Sequence, residues 1–143
     1  MHVTDLLADK GAEVATVTSE TLVAEVVAEL ARHRVGALVV SPDGRHIEGI
    51  VSERDIVRHL SEVRQDLLDD PVSTIMSTSV RTCGPDDEVE TVMQLMTEQR
   101  IRHVPVVVDE VLVGIVSIGD VVKSRMGELQ RDRDELLEYI SAR

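Results

Sequence analysis

Aromatic side chains are almost absent from this chain, which has one tyrosine and neither phenylalanine nor tryptophan. Its hydrophobic core must therefore consist of aliphatic residues and methionine, which suffice because hydrophobic residues make up 43% of the 143 positions. Cysteine is nearly as scarce, since Cys83 is the only one. A single cysteine excludes an intrachain disulfide and a zinc site built from cysteines, and it fits a reducing cytoplasm.

Several functional classes are disfavoured because their sequence features are missing. No apolar run approaches the roughly 20 residues of a membrane helix, and no signal peptide opens the chain, so we expect a soluble, cytoplasmic protein. The sequence has no phosphate-loop motif, no Gly-x-Gly-x-x-Gly motif and no nucleophile beside a recognisable base, so we expect no enzyme. The histidines lack metal-ligand spacing, so we expect no metal site; they are His2, His33, His46, His59 and His103.

Positive charge is also in short supply. The chain has 15 basic and 27 acidic residues, which gives a formal net charge of −12. Such a surface repels the phosphate backbone of nucleic acids, so we do not expect DNA or RNA as a partner. The net charge does not argue against a small nucleotide, because a local basic pocket can lie within an acidic surface.

An internal repeat is the main feature that the sequence does contain. The phrase GIVSERD at 49–55 returns as GIVSIGD at 114–120, with five of seven residues identical. A helical apolar face precedes each phrase, and its members in the second copy lie 66 positions after those in the first. These faces are Val23, Val26, Val27 and Leu30, and then Val89, Val92, Met93 and Met96. Short β-like runs lie at 14–18, 35–40, 80–84 and 101–107.

Each copy therefore predicts the element order β-α-β-β-α behind a short leading helix. A turn joins the last two strands, at 41–44 in the first copy and at 109–110 in the second. One such copy makes a small mixed sheet that cannot bury both of its faces alone, so we expect an α/β (α+β) fold in which two pseudo-symmetric copies pack together. The expected divisions are 1–66, 67–125 and a C-terminal helical extension at 126–143.

The repeated phrases, the RHVPVV strand and the element order carry a specific resemblance over about residues 3–125. The sequence resembles a tandem pair of CBS domains (cystathionine-β-synthase motifs), the unit called a Bateman module. The resemblance implies a non-catalytic sensor that needs no cofactor and signals by conformational change. It also implies an adenine-containing regulatory ligand, such as AMP, ATP, NAD(H) or S-adenosylmethionine, and a homodimer.

Two interpretations of the repeated Ser-x-x-Asp remain open. It fits a capping box, in which the serine and the aspartate satisfy free amides at a helix start, and the repeated glycine would then only allow close packing. It also fits a nucleotide site, because a helix N-terminus attracts phosphate and a carboxylate can accept hydrogen bonds from both ribose hydroxyls. The two interpretations are compatible, since one serine can start the helix and face a ligand.

By resemblance, the ligand would contact both copies, with the isoleucines against adenine and the basic residues near phosphate. The expected nucleotide-binding residues are Ile50, Ser52, Arg54, Asp55, Arg102, His103, Val104, Pro105, Ile115, Ser117 and Asp120. The copies are unequal, because Gly36 and Ala37 stand where the second copy has Arg102 and His103. We therefore expect one strong site, defined by Asp120 with those two basic residues, and a weaker second one.

The end of the chain predicts a long helix with heptad spacing at Val122, Met126, Leu129, Arg133, Leu136 and Ile140. Such a helix either lies on its own domain or contacts a second subunit, and its length favours a homodimer contact. An alternative function follows from it: a ligand-independent assembly scaffold that recruits a protein partner, with the repeats serving only for packing.

Overall fold

The structure is a computed structural model that describes residues 1–62 and 66–142. Residues 63–65 and 143, which the expected first repeat and C-terminal extension include, lie outside the described residues. Five helices and five strands follow one another as α1 (Val3–Lys10), β1 (Thr16–Val17), α2 (Val23–His33), β2 (Ala37–Val40), β3 (Gly49–Ser52), α3 (Glu53–Ser61), α4 (Val89–Gln99), β4 (His103–Val108), β5 (Val111–Ser117) and α5 (Ile118–Ser141). Two 3₁₀ turns, at Leu67–Asp69 and Val72–Thr74, link the halves.

Helices α2 and α4 occupy equivalent places in the two copies. The predicted apolar faces are buried at Val23, Val26 and Leu30 and at Val89, Val92 and Met96, although Val27 is exposed. Each helix ends at an arginine in the left-handed conformation, Arg34 at φ 55° and Arg100 at φ 54°. There, the amide of the following residue bonds back to the last turn of the helix, which satisfies a free carbonyl.

The first copy contains the expected mixed sheet, in the order β1-β2-β3. Strands β1 and β2 are parallel, with Thr16 opposite Val39, and β2 and β3 are antiparallel, with Ala37 opposite Ser52. The second copy pairs β4 with β5, and His103 lies opposite Ser117. Its expected first strand at 80–84 is reduced to a single parallel bridge, Cys83 to Val106.

The two hydrophobic cores each recruit the leading segment of the other copy. Val3 and Leu6 of α1 are buried in the core of the second copy, with α4, β4 and β5. Val72 and Ile75, from the start of the second copy, are buried in the core of the first. Backbone hydrogen bonds fix the exchange: the Val3 amide donates to the Asp87 carbonyl at 2.9 Å, and the Val72 amide donates to the Thr21 carbonyl at 2.8 Å. The two copies therefore form one interlocked body.

The repeated glycines lie where these exchanged segments cross the sheets. A Cβ on Gly49 would lie 2.8 Å from the Met76 sulfur and 2.9 Å from the Ser77 carbonyl oxygen. A Cβ on Gly114 would lie 2.7 Å from Leu7 Cδ2. A Cβ at either position would force its neighbour to move, so a glycine at the start of the repeated phrase suits both crossings.

The last helix, α5, has 24 residues and extends beyond the second repeat, and it is mostly exposed. Val121 is its one buried residue among those the structure describes. The apolar members of the predicted heptad are 46–61% exposed; they are Val122, Met126, Leu129, Leu136 and Ile140. Within the described part of the chain, no helix is long and apolar enough to cross a membrane.

Candidate functional site

The first Ser-x-x-Asp forms a complete capping box at the start of α3. The Asp55 Oδ2 atom accepts hydrogen bonds from the Ser52 amide at 2.8 Å and from the Ser52 hydroxyl at 3.0 Å. The Asp55 amide donates to Ser52 Oγ at 3.3 Å. The other carboxylate oxygen, Oδ1, accepts from Arg58 Nη2 at 2.9 Å, and the Arg58 side chain is 65% exposed. The structural interpretation of the motif is therefore confirmed, and the aspartate is held rigidly.

The helix start offers fewer free amides than the motif predicts. The Glu53 amide donates to the Gly36 carbonyl at 2.9 Å, and the Asp55 amide is already bonded to Ser52. Two of the first three amides of α3 thus have acceptors, which weakens the anion-binding capacity of this terminus. An anion here needs side-chain cations.

A cleft of about 530 Å³ opens beside this helix start and lies between the two copies. Its size is within the usual range of small-molecule sites. Six of the predicted site residues line it: Ile50, Ser52, Arg54, Asp55, Arg102 and His103. The cleft thus combines the phrase of the first copy with the basic pair of the second.

The lining of this cleft is strongly basic, although the chain as a whole is acidic. Five arginines face two carboxylates, those of Glu53 and Asp55. The arginines are Arg54, Arg58, Arg81, Arg100 and Arg102. In residues 1–62 and 66–142, Arg58 alone among these five has a carboxylate within 4.0 Å. Four arginines are therefore available to an anionic ligand.

His103 lies at the contact between the copies. A Cβ on Gly36 would approach its ring to 3.2 Å, so the glycine of the first copy makes room for the imidazole of the second. Burial lowers the pKa of His103. The nearby Glu53 carboxylate raises this pKa and the Lys10 ammonium lowers it, and the net result is a decrease. The imidazole is therefore neutral near neutral pH, and it can donate or accept one hydrogen bond but adds no positive charge.

The second Ser-x-x-Asp forms the same capping box at the start of α5, but its aspartate has an additional partner. Asp120 Oδ2 accepts from the Ser117 amide at 2.8 Å and from Lys10 Nζ at 2.6 Å. Lys10 Nζ also donates to the Ile115 carbonyl at 2.9 Å. Burial would raise the pKa of Asp120, but the hydrogen bonds from Lys10 and Ser117 outweigh it and lower the pKa. This carboxylate is thus ionised and paired with another helix.

The predicted residues are consequently divided between two places. Ile115, Ser117 and Asp120 do not line the 530 Å³ cleft: the Ile115 carbonyl and the Asp120 carboxylate bind the Lys10 ammonium, and Ser117 bonds to Asp120. Val104 and Pro105 are buried in β4, and Val104 belongs to the hydrophobic core of the second copy. The basic pair Arg102 and His103 thus lines the same cleft as Asp55, while the charges of Asp120 and Lys10 also act on His103. The grouping of this pair with Asp120 in one stronger site stays a prediction.

Sequence reasoning missed four charged residues. Arg58 lies one turn after Asp55, and its position on the same helix face was available from the spacing. Arg81 and Arg100 reach the cleft from the second copy, which local patterns do not reveal. Lys10 was recognisable only by aligning the two leading segments. Cys83 is buried, and burial raises the pKa of its thiol to about 12, so it stays protonated and unreactive.

Comparison with known proteins identifies the repeats. A family model described as CBS domain matches residues 3–62 and 72–127. The chain is 37% identical over 127 residues to the CBS domain-containing protein CBSX3, mitochondrial, of Arabidopsis thaliana. That match covers 86% of this chain but 62% of the plant protein, so the chain spans a little under two thirds of this relative. It is 34% identical over 114 residues to the CBS domain-containing protein YhcV of Bacillus subtilis, and 80% of each chain is covered.

Solved structures with the same fold include proteins with bound adenosine compounds. A CBS-domain containing protein from Agrobacterium tumefaciens has a TM-score of 0.84 and 38% identity, covering 87% of this chain and 99% of that one. A CBS domain protein from Pyrobaculum aerophilum complexed with AMP has a TM-score of 0.75 and 31% identity, and the match covers 84% of this chain and 89% of that one. The CBS domain pair of protein MJ0100 was solved in complex with 5′-methylthioadenosine and S-adenosyl-L-methionine. It has a TM-score of 0.79 and 26% identity, and the match covers 90% of this chain and 98% of that one.

Proposed function

Because this chain belongs to the CBS domain family, we propose that it is a non-catalytic regulatory module that binds an adenine nucleotide in the cleft between its two repeats. One observation carries the proposal: a rigidly held carboxylate and five arginines line a single cleft of nucleotide size. Solved relatives of the same fold hold AMP or S-adenosyl-L-methionine. We carry the class of ligand, an adenosine compound, over to this chain on that basis.

The cleft has a separate group for each part of a nucleotide. Asp55 accepts hydrogen bonds from the two ribose hydroxyls, which displace the exposed Arg58 side chain from its carboxylate. This displacement costs little, because a surface ion pair contributes about 0–1 kcal/mol. Ile50, half-buried at the cleft wall, packs against the adenine. The freed Arg58, with Arg54 and Arg102, binds phosphate through charge-assisted hydrogen bonds.

The charge of the cleft favours phosphorylated ligands. Five arginines against two carboxylates leave a formal excess of three positive charges. AMP, ATP and NAD(H) carry phosphate groups that neutralise this excess, whereas the sulfonium of S-adenosylmethionine adds to it. We therefore place AMP, ATP and NAD(H) ahead of S-adenosylmethionine for this chain.

Signalling requires that the ligand bind one arrangement of the repeats more tightly than another, because equal affinity for both shifts no equilibrium. The cleft lies between the repeats, and its unpaired arginines repel one another when it is empty. Phosphate removes that repulsion and draws the arginines of both repeats onto one group. Binding thus closes the repeats on each other, and a protein partner responds to the closed form.

Isothermal titration calorimetry of nucleotide-stripped protein tests the proposal with AMP, ATP, NAD, adenosine and S-adenosylmethionine. We expect binding of the phosphorylated ligands, and a loss of about 10- to 100-fold in affinity for Asp55→Asn, because a hydrogen bond to a charged group contributes about 1.5–3 kcal/mol. Asp132→Asn, an equal change on the exposed part of α5, is the matched control and should bind as the wild type does. If no adenosine compound binds, the scaffold alternative replaces this function.

We further propose that the protein is a homodimer whose subunits meet through α5. The apolar members of the heptad lie along one face over about five turns and stay in water in the single chain. A second copy of the helix buries them, and Arg133 in the same row pairs with acidic residues of the facing helix.

Analytical ultracentrifugation checks the dimer. Leu129→Glu with Leu136→Glu should give a monomer, because two carboxylates would be buried in the helix pair without partners. Arg131→Glu places the same side chain away from the heptad row and serves as the matched control, which should remain dimeric. A double variant that still sediments as a dimer contradicts the role of α5.

A further inference from the structure

The exchanged leading segments occupy pseudo-equivalent positions, which allows the two copies to be compared residue by residue. Val3 and Val72 are both fully buried, each in the core of the opposite copy. Leu7 crosses Gly114 as Met76 crosses Gly49. In both comparisons the second residue lies 69 positions after the first, so the alignment rests on contacts as well as sequence.

Continuing the alignment by three residues places Lys10 opposite Ser79. Ser79 lines the cleft that contains Asp55 and leaves it open. Lys10 instead crosses to the equivalent aspartate and bonds Asp120 Oδ2 at 2.6 Å. The two copies thus differ at this position: Lys10 pairs with Asp120 in the second copy, whereas Ser79 leaves Asp55 accessible in the first.

The carbonyl groups of the isoleucines at the end of β3 and β5 also have different partners in the two copies. In the first copy the Ile50 carbonyl accepts a hydrogen bond from the Ser77 amide at 2.9 Å, within a backbone bridge. In the second copy the equivalent Ile115 carbonyl accepts from Lys10 Nζ, also at 2.9 Å. The ammonium is therefore held by two acceptors, one on β5 and one on α5.

We propose that Lys10 is an internal occupant of the second site, which restricts the protein to one nucleotide per chain. This inference rests on the proposed function of the first cleft and adds the stoichiometry. The lysine ammonium pairs with the carboxylate that the ribose hydroxyls would otherwise use, at the oxygen that also accepts from the Ser117 amide. A nucleotide can enter the second site only after α1 releases that contact.

The contacts of Lys10 are harder to displace than those of Arg58. Arg58 is 65% exposed and belongs to the same helix as Asp55, so it can rotate into water. The Lys10 and Asp120 side chains are 30% and 24% exposed and belong to helices packed against each other. The second copy also has Gly119 where the first has Arg54, so a phosphate gains less in return.

Substitution by the residue of the other copy provides the test. AMP and ATP are titrated separately into the stripped full chain by calorimetry, and the number of sites is fitted. We expect one site per chain in the wild type and two in Lys10→Ser, which opens the second site as Ser79 leaves the first one open. Lys10→Arg keeps a cation at Asp120 and should retain one site. Lys10→Ser combined with Asp120→Asn should lose the added site.

Each outcome decides the inference. Two sites in the wild type, or one site in a folded Lys10→Ser protein, overturns it while the proposed function survives. Absence of binding to every variant overturns both. If Lys10→Ser does not fold by circular dichroism, Lys10→Gln replaces it, because the amide still donates to the Ile115 carbonyl but removes the charge from Asp120. That variant should likewise show the second site, and one site in it contradicts the inference.

Discussion

Alanine at the two repeated glycines should destabilise the protein to very different extents. At Gly49 the new methyl group would meet the Ser77 carbonyl oxygen at 2.9 Å, and this oxygen is fixed by its hydrogen bond from the Ile50 amide at 3.0 Å. At Gly114 it would meet only the tip of Leu7, at 2.7 and 3.0 Å. A leucine tip can rotate, whereas a paired backbone cannot.

These contacts set the magnitudes. Overpacking costs about 1–3 kcal/mol, and replacing glycine by alanine returns about 0.4–1 kcal/mol by restricting the unfolded chain. Gly49→Ala, at the upper end of overpacking, should lower the free energy of unfolding by about 2 kcal/mol, and Gly114→Ala by about 0.5 kcal/mol or less. At about 2–4 °C per kcal/mol, the melting temperature of Gly49→Ala should fall by about 4–8 °C.

Urea denaturation followed by far-ultraviolet circular dichroism measures the two variants. Tyrosine fluorescence is unsuitable, because Tyr139 is 66% exposed on α5 and belongs to neither hydrophobic core. Leu7→Ala should suppress the remaining cost of Gly114→Ala in a double-mutant cycle, whereas Met76→Ala should not rescue Gly49→Ala. Equal losses for the two glycine variants, or full rescue at Gly49, would refute the reasoning.

Three further predictions concern caps and charge, and urea denaturation measures each. Arg34→Gly should stabilise the protein by up to about 0.5 kcal/mol, because its φ of 55° costs a side chain about 1 kcal/mol and glycine loses part of this gain to unfolded-state entropy. Ser117→Ala should cost about 1 kcal/mol, as the loss of an N-cap does. The pKa of His103 in the folded protein is below the unfolded value of 6.5. The contribution of His103 to the free energy of unfolding is therefore complete above pH 6.5 and is lost as the pH falls through the folded pKa. Between neutral pH and about pH 5, the wild type should therefore lose more stability than His103→Gln; parallel profiles would contradict this.

The local elements of the fold were predictable because their determinants lie within a few residues. The helix starts at 53 and 118 follow from the capping boxes, and the structure confirms both. The tight turn at 109–110 also follows, with φ of 50° and 65°. The strand at 80–84 was not confirmed beyond Cys83, since propensity does not reveal how many neighbours a strand edge finds.

The exchange of leading segments could not be predicted from periodicity. The apolar residues of 3–7 show that this helix is buried on one face, but not which core accepts it. Both cores offer nearly the same surface, because the copies are related. The choice is made by contacts between distant residues, such as the Val3 amide with the Asp87 carbonyl.

The candidate site was predictable only in part, because its residue types follow from local motifs but their grouping depends on contacts between distant residues. The residue types were available from the repeated phrase and the basic pair. Their grouping was not, because Arg102 and His103 of the second copy line the same cleft as Asp55 of the first. The partner of Asp120 comes from residue 10, which is 110 positions away along the chain.

The crossing of the leading segments has a consequence during synthesis on the ribosome. Helix α1 emerges early, yet the core that buries Val3 and Leu6 is finished only when Val121 has been made. At about 5–20 residues per second, these apolar side chains stay exposed for roughly 6 to 24 s before their core is complete. The formal net charge of −12 opposes association between copies of the chain while these side chains are exposed.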